Sequence, residues 1–311
     1  MASEIKMEGL LPKMDMPKIN ALKNLLLKSM EIEKDFYKEI TALEMEYDKK
    51  HKELFNKRAK IISGDLEPTE EESKWEYPCM LDLANINIDT KEETKTVGIP
   101  NFWLTVLRNA SFTDKMIFPQ DIAVLENLYD ITCEALPMEN PGFTISFHFK
   151  ENPHFDNTVL TKTYYLSMDL DKEDPLSYSG PEIYCHEGCK INWKPGKDIT
   201  VKTVKKTQKH KESRVKRVVT KTVENDSFFN FFSMEKTELP EDGDDFMEVD
   251  FTIGQFMRED LIPKAILFFT GEYDDDSDDD MDESDSEEDS EEESEESEGS
   301  DIDPGAFGSK K

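Results

Sequence analysis

KINALKNLLLKSMEIEKDFYKEITALEMEYDKKHKELFNKRAKIIS, residues 18–63, contains neither proline nor glycine and is built mainly from Leu, Lys, Glu and Met. Gly64 and then Pro68 follow as stop signals. A helix over this whole stretch would be about 70 Å long at about 1.5 Å per residue, more than a small domain can cover. Stepping alternately by three and four from Ile19 to Ile61 meets apolar residues at nine of thirteen positions, with Leu25, Met30, Ile32 and Phe55 beside them. The pattern approaches a heptad but breaks too often for an ideal parallel coiled coil. An amphipathic helix packed on its own domain is one reading. A dimerisation helix is the preferred one, because so long a stripe needs an equally long partner. Ile19, Leu22, Leu26, Phe36, Ile40, Leu43, Tyr47 and Leu54 are then the dimerisation contacts.

From about Trp75 the texture changes. Gly98 to Asn109 reads as a turn opening a short helix, with Pro100 in its first turn and Phe102, Leu104, Val106 and Leu107 as core residues. Asp121 to Ala135 has Ile122, Leu125, Leu128, Tyr129 and Ile131 at helical spacing, with Pro137 beyond, which predicts a second helix. Strands follow. Phe143, Ile145, Phe147 and Phe149 alternate with Thr144, Ser146 and His148, the period of a half-buried strand. Val159 to Leu170 and Ile183 to Trp193, the latter broken near Gly188, read as two more, and Ile199 to Val223 as a hairpin with its tip at Gln208 to Ser213. Asp226 or Ser227 caps a helix running to Phe232, Leu239 to Asp250 reads as an acidic loop, and Ile253 to Phe269 as helix interrupted at Pro263.

Charge bounds the function. The formal net charge is -32 over 311 residues. From Glu272 onward there are 21 acids and two lysines, a net of -19 in 40 residues, leaving -13 on the preceding 271. Such a balance opposes contact with nucleic-acid phosphates, which need Lys and Arg to displace counterions. It favours and accelerates encounter with cationic partners. The tail has too little apolar surface to offset the entropy of ordering and is expected to be disordered. Cys79, Cys133, Cys185 and Cys189 form no dense disulfide framework, and no apolar run has the length of a signal core or membrane span. A reducing nuclear or cytosolic setting, without membrane contact, is expected.

Chemistry-bearing motifs are missing: no phosphate loop, no His-Glu-x-x-His, no Gly-x-Ser-x-Gly. Cys185-His186-Glu187-Gly188-Cys189 has zinc-ligand residue types but no second pair, so strand and turn residues are the simpler reading. No enzyme, metal or cofactor is expected. Lys194 to Lys221 holds eleven Lys or Arg against Asp198 and Glu212. It reads as a lysine-protected hairpin edge, or as a nuclear import signal at Lys205, Lys206, Lys209, Lys211, Arg214, Lys216 and Arg217. Nucleic-acid contact is weaker, since stacking aromatics are absent there. Leu22, Leu25, Leu26, Leu27 and Met30 have the spacing of an export signal, although leucines so spaced also simply pack. Ser277, Ser284, Ser286, Ser290 and Ser300 each have an acid three residues downstream and are candidates for acid-directed kinases.

Several segments together resemble the nucleosome assembly protein family: Gly98-Ile99-Pro100-Asn101-Phe102-Trp103-Leu104-Thr105, Leu160 to Leu166, Ile191 to Thr200, Ser227 to Phe232, and Leu261 to Glu272. Order and spacing agree from about residue 18 to 272. The resemblance implies an α+β fold: a long N-terminal dimerisation helix, then an "earmuff" domain with a four-stranded antiparallel sheet over helices, and a disordered acidic tail. The basic hairpin favours the nucleosome-assembly branch over the SET-like branch, and the ending Gly308-Ser309-Lys310-Lys311 lacks the prenylation box of some relatives. The implied function is that of an ATP-independent histone chaperone. It would bind core histones, 2A–2B dimers above all and the central histones besides, shield them from non-specific DNA contact, and shuttle with import receptors between cytoplasm and nucleus. A SET-like phosphatase inhibitor or signalling scaffold is the alternative.

The expected organisation is a flexible N-terminus (1–17), the dimerisation helix (18–64), the earmuff domain (65–271) with its hairpin at about 199–223, and the tail (272–311). Histone-binding acids are expected at Glu241, Asp242, Asp244 and Asp245 of the loop, Glu259 and Asp260 near the last helix, and Asp274, Asp275, Asp276, Asp278, Asp279 and Asp280 of the tail. Exposed ion pairs contribute only about 0–1 kcal/mol each, so affinity must come from many of them on a shaped scaffold.

Overall fold

The computed structural model describes residues 16–77, 97–209, 216–233, 237–238 and 245–273. The first of these segments is dominated by α1, Met16–Ser63. Its end is fixed by a glycine pair. Gly64 and Gly98 both have positive φ, and a Cβ on Gly64 would stand 2.6 Å from the Gly98 nitrogen. Ile99 donates its amide to the Ile62 carbonyl at 2.8 Å, so the chain leaves at Gly64 and returns beside itself at Gly98. Only glycines admit so close an approach in that conformation.

Next come α2 (Phe102–Asn109), α3 (Ser111–Asp114) and α4 (Pro119–Leu125). The expected helix over Asp121–Ala135 ends at Leu125; Leu128–Ala135 is instead the edge strand β1. Asn127 turns the chain by donating its side-chain amide to the Ala123 carbonyl at 3.0 Å. Beyond it, Tyr129, Ile131 and Thr132 are β-formers, and pairing with β2 decides a stretch whose apolar residues suit either period. The sheet then runs antiparallel through β2 (Gly142–Phe149), β3 (Val159–Ser167) and β4 (Glu182–Glu187). A two-residue strand β7, Thr237–Glu238, extends the four-stranded sheet beyond β4. The strand expected over Ile183–Trp193, broken near Gly188, ends at Glu187 beside that break, and beyond it Trp193 makes an isolated bridge to Phe155.

β5 (Val201–Lys209) and β6 (Lys216–Glu224) pair only with each other, as the expected hairpin. Phe228–Phe232 forms a 3-10 turn rather than an α-helix; Ser227 is its cap and accepts the Phe229 amide. Asp121, fully buried, ties this turn to α4: its carboxylate accepts from the Phe118 and Phe228 amides and from the Ser227 hydroxyl. The loop expected up to Asp250 is already helical from Asp245, where α5 (Asp245–Phe256) begins. Its inward stripe runs Asp250, Ile253, Gly254, and continues at Met257 in the π-turn Met257–Leu261. After Pro263, α6 (Ala265–Thr270) ends at Gly271 in the left-handed conformation.

These helices cover one face of the sheet, whose alternation supplies Ile131, Phe143, Ile145, Phe147, Phe149, Leu160 and Tyr164 to the core. Phe228, Phe229, Phe231 and Phe232 pack rings against Phe147, Phe149 and Phe155. The opposite face stays polar: Thr132 meets the His148 imidazole at 2.9 Å, and Thr144 meets Thr163 at 2.9 Å. The N-terminus to residue 15 and the tail beyond Tyr273 lie outside the described residues.

Candidate functional site

α1 carries two apolar stripes. At about 100° per residue, Met30, Tyr37, Thr41, Met45, Phe55 and Ile62 share one face, centred roughly 110° from a second. The first face is half-buried to buried. It is anchored by Tyr37, which stacks edge-on with Tyr178, by Lys34 and Lys38 near Asp169, and by Arg258, which bridges to Glu44 at 3.0 Å. Arg58 donates to the Ile262 carbonyl and lies over the rings of Phe55 and Trp103.

The second face carries Leu22, Leu25, Leu26, Ile32, Phe36, Leu43, Tyr47 and Leu54, which remain 46–71% exposed. Six of the eight residues expected at a dimer seam stand there; Ile19 and Ile40 are half-buried. The choice between packing on the home domain and presenting a free stripe therefore has both answers on one helix. From Leu22 to Leu54 the free stripe is about 48 Å long.

α5 is held down by a buried charge pair. Lys162 stands on the apolar face of β3 with 2% exposure, and its ammonium lies 3.0 Å from the Asp250 carboxylate, itself 7% exposed. His186 of β4 lies 3.5 Å from that carboxylate, and the Tyr164 hydroxyl donates to the Asp250 carbonyl at 2.9 Å. Burial lowers the pKa of Lys162, and the adjacent carboxylate opposes that shift. An isolated ammonium could not remain charged in such a place, so Asp250 fixes α5 to the sheet. Both groups line a cleft of about 840 Å³ between the sheet, the 3-10 turn and the base of the hairpin. Sequence reading missed this pair; the signal was a lysine in the apolar phase of Leu160-Thr161-Lys162-Thr163-Tyr164.

The expected histone-binding acids separate on inspection. Glu259 is exposed and takes a hydrogen bond from the neutral Gln255 side chain at 3.1 Å. Asp260 is half-buried and paired with Lys264. Asp245 opens α5. Glu241, Asp242 and Asp244, and the acids and serines from Asp274 onward, lie outside the described residues. Of the basic positions, Lys205, Lys206 and Lys209 belong to β5 and Lys216 and Arg217 to β6, whereas Lys211 and Arg214 lie outside the described residues. In the β5–β6 register Lys202 stands opposite Val223 and Lys221 opposite Val204.

Cys185 is buried in β4, and the Cys189 sulfur accepts the Thr161 amide at 3.1 Å. Among the described residues no group of three or more His, Cys, Asp or Glu is placed to hold a metal ion, and no helix is long and apolar enough to cross a membrane.

A long helix with a free stripe, an antiparallel sheet covered on one face by helices, and a basic hairpin make a specific combination. The profile of the family described as "Nucleosome assembly protein (NAP)" matches residues 17–272, the span that holds all of these features. The chain belongs to the nucleosome assembly protein family. Among relatives, it is 45% identical to nucleosome assembly protein 1-like 1 of Xenopus tropicalis, over 86% of this chain and 71% of that one. It is 42% identical to nucleosome assembly protein 1-like 4 of Mus musculus, over 86% and 76%. Among solved structures, nucleosome assembly protein 1 from Plasmodium knowlesi aligns with a TM-score of 0.54 and 27% identity, covering 84% of this chain and 98% of that one. These relatives place the chain in the nucleosome-assembly branch of the family rather than the SET-like one.

Proposed function

We propose that the protein is an ATP-independent, non-enzymatic histone chaperone that works as a homodimer. The observation that carries the reading is the conjunction of family membership over residues 17–272 with a net charge of -32. Histones present dense Lys and Arg that bind DNA indiscriminately, and carboxylates on a dimeric scaffold screen those same surfaces. The free stripe of α1 supports the homodimer, because eight large exposed apolar side chains along one helix call for a partner of equal length. Histone 2A–2B dimers are the preferred cargo, held by the 241–245 acids, Glu259 and the tail, and the hairpin cations give an import receptor its contact during transport between cytoplasm and nucleus. The organisation follows: residues 18–64 dimerise, 65–271 bind histones, and the tail from 272 strengthens and accelerates the encounter, more so when its serines are phosphorylated.

Titrating the purified protein with each core histone pair at low and at moderate salt tests this. Tight binding that weakens with salt is expected, since exposed charges are screened. Affinity that does not change with salt, or absence of binding, overturns it.

A further inference from the structure

Aromatic side chains of the described residues are almost all put away. Among the described residues, five Phe, Tyr or Trp are classed as exposed; Phe36 and Tyr47 belong to the free stripe of α1, and Tyr184 is tied to Asn140 by its hydroxyl. The other two are Trp75 and Tyr77, 72% and 71% exposed, with ring centroids 5.3 Å apart in an edge-to-face pair.

The backbone leading to this pair is well tied. Leu66 donates its amide to the Lys60 carbonyl at 3.0 Å, continuing from α1. Thr69 and Glu72 then cap each other: the Thr69 amide donates to the Glu72 carboxylate at 3.0 Å, and the Glu72 amide to the Thr69 hydroxyl at 3.2 Å. The Ser73 amide returns to the Thr69 carbonyl at 3.0 Å, and Lys57 of α1 bridges to Glu72. That bridge, with the Thr69 amide, holds the Glu72 carboxyl at a pKa of about 2. The two large rings follow directly on this tied turn, so part of the ordering cost of engaging them is already met. Around them the charge is one-sided: Asp65, Glu67, Glu70, Glu71 and Glu76 against Lys74, with Glu72 already matched by Lys57.

We infer that Trp75 and Tyr77 form an anchoring surface for an arginine-bearing segment of the basic cargo. An exposed tryptophan face attracts a cation, and a guanidinium also stacks flat on it, which an ammonium does not. The flanking carboxylates complete the complementarity, and the rings supply contact that salt does not screen. Trp and Tyr with a charged surround are the residue types in which interface energy concentrates. The assignment rests on the histone reading above and adds to it a place and a side-chain preference. Because both rings are mostly exposed, replacing them takes little from the packed core.

The test uses the full chain and two probes, a purified histone 2A–2B pair and matched oligo-arginine and oligo-lysine peptides. Trp103 is buried and Trp193 half-buried, so acrylamide quenching reports mainly on Trp75. Oligo-arginine should protect that fluorescence more than oligo-lysine at equal charge. Trp75→Ala with Tyr77→Ala should weaken histone binding about tenfold or more at each salt concentration while leaving the slope against log salt unchanged. Glu70→Gln, Glu71→Gln and Glu76→Gln together should flatten the slope. Wild-type affinity and slope in the double alanine variant overturn the anchor while leaving the histone reading intact. Wild-type protein that binds no histone pair overturns the reading itself. A double alanine variant whose mass in solution drops to that of one chain shows that a second copy occupies the pair, and also overturns the proposal.

Discussion

Replacing Phe36 and Leu43 by Asp should convert the protein from a dimer to a monomer. Both lie near the middle of the free stripe and are 55% and 56% exposed in the single chain. Fully burying such a side chain contributes about 1.5–3 kcal/mol, so covering the exposed half contributes about 1–1.5 kcal/mol each. Two substitutions in each of two protomers remove four such contributions, about 4–6 kcal/mol, before any cost of burying the new carboxylates. The dissociation constant should therefore rise by about three to four orders of magnitude. Sedimentation equilibrium reads the outcome as a fall from twice the chain mass to the chain mass at micromolar protein. Circular dichroism checks that α1 remains helical, which its second anchored face should ensure. Lys49→Asp, on neither stripe, is the control and should stay dimeric. An unchanged dimer in the double variant, or a wild-type chain already monomeric, would refute the assignment of this stripe to self-association.

Three further outcomes are expected. Asp250→Ala strands the Lys162 ammonium in the core and should cost about 3–5 kcal/mol in urea unfolding, whereas replacing Lys162 by Met and Asp250 by Leu together should cost far less. Burial raises the Asp130 pKa to about 6, against the pull of Arg58. The folded state then holds this proton more tightly than the unfolded chain, so the group's contribution to stability is present below about pH 4 and fades as pH rises through about 6, by up to about 3 kcal/mol. Asp130→Asn should accordingly gain on wild type in melting temperature between pH 4.5 and pH 7; a gap that moves the other way means the Arg58 attraction dominates. Glu259→Lys should weaken histone binding more than Asp260→Lys in a salt-controlled titration, because Asp260 is already matched by Lys264.

The long helix was legible because length, absence of Gly and Pro, and a terminal glycine all point one way over Met16–Ser63. What it presents to solvent was legible only in part, since one stripe serves the home domain through residues as distant as Asp169 and Arg258. β2 showed plainly for the same reason in period two: Phe143, Ile145, Phe147 and Phe149 all reach the core. β1 did not, because Leu125, Leu128 and Ile131 fit a helical spacing equally well and only the pairing with β2 separates the readings. The start of α5 was hidden by its acids. Asp250 looks like one more loop carboxylate until Lys162, 88 residues earlier, is seen to need it. A lysine in the apolar phase of a strand announces that a carboxylate exists somewhere; no local pattern says where.

Charge also divides in a way that composition conceals. Several acids of the scaffold already have cations of their own: Glu44 with Arg258, Glu72 with Lys57, Glu134 with Lys52, Asp169 with Lys34 and Lys38, and Asp260 with Lys264. For a basic partner to use one of these it must displace the resident lysine or arginine, exchanging one exposed pair of about 0–1 kcal/mol for another. The exchange is close to neutral. Net attraction must therefore come from carboxylates whose hydrogen-bond partner is neutral, as Gln255 is for Glu259, and from the tail, where acids outnumber lysines 21 to two. Those sources are long-ranged and screened by salt, so they set how fast and how tightly a cationic partner is held. They say little about which one. Discrimination needs short-ranged contact on ordered backbone, and among the described residues the exposed ring pair at Trp75 and Tyr77 is placed to supply it.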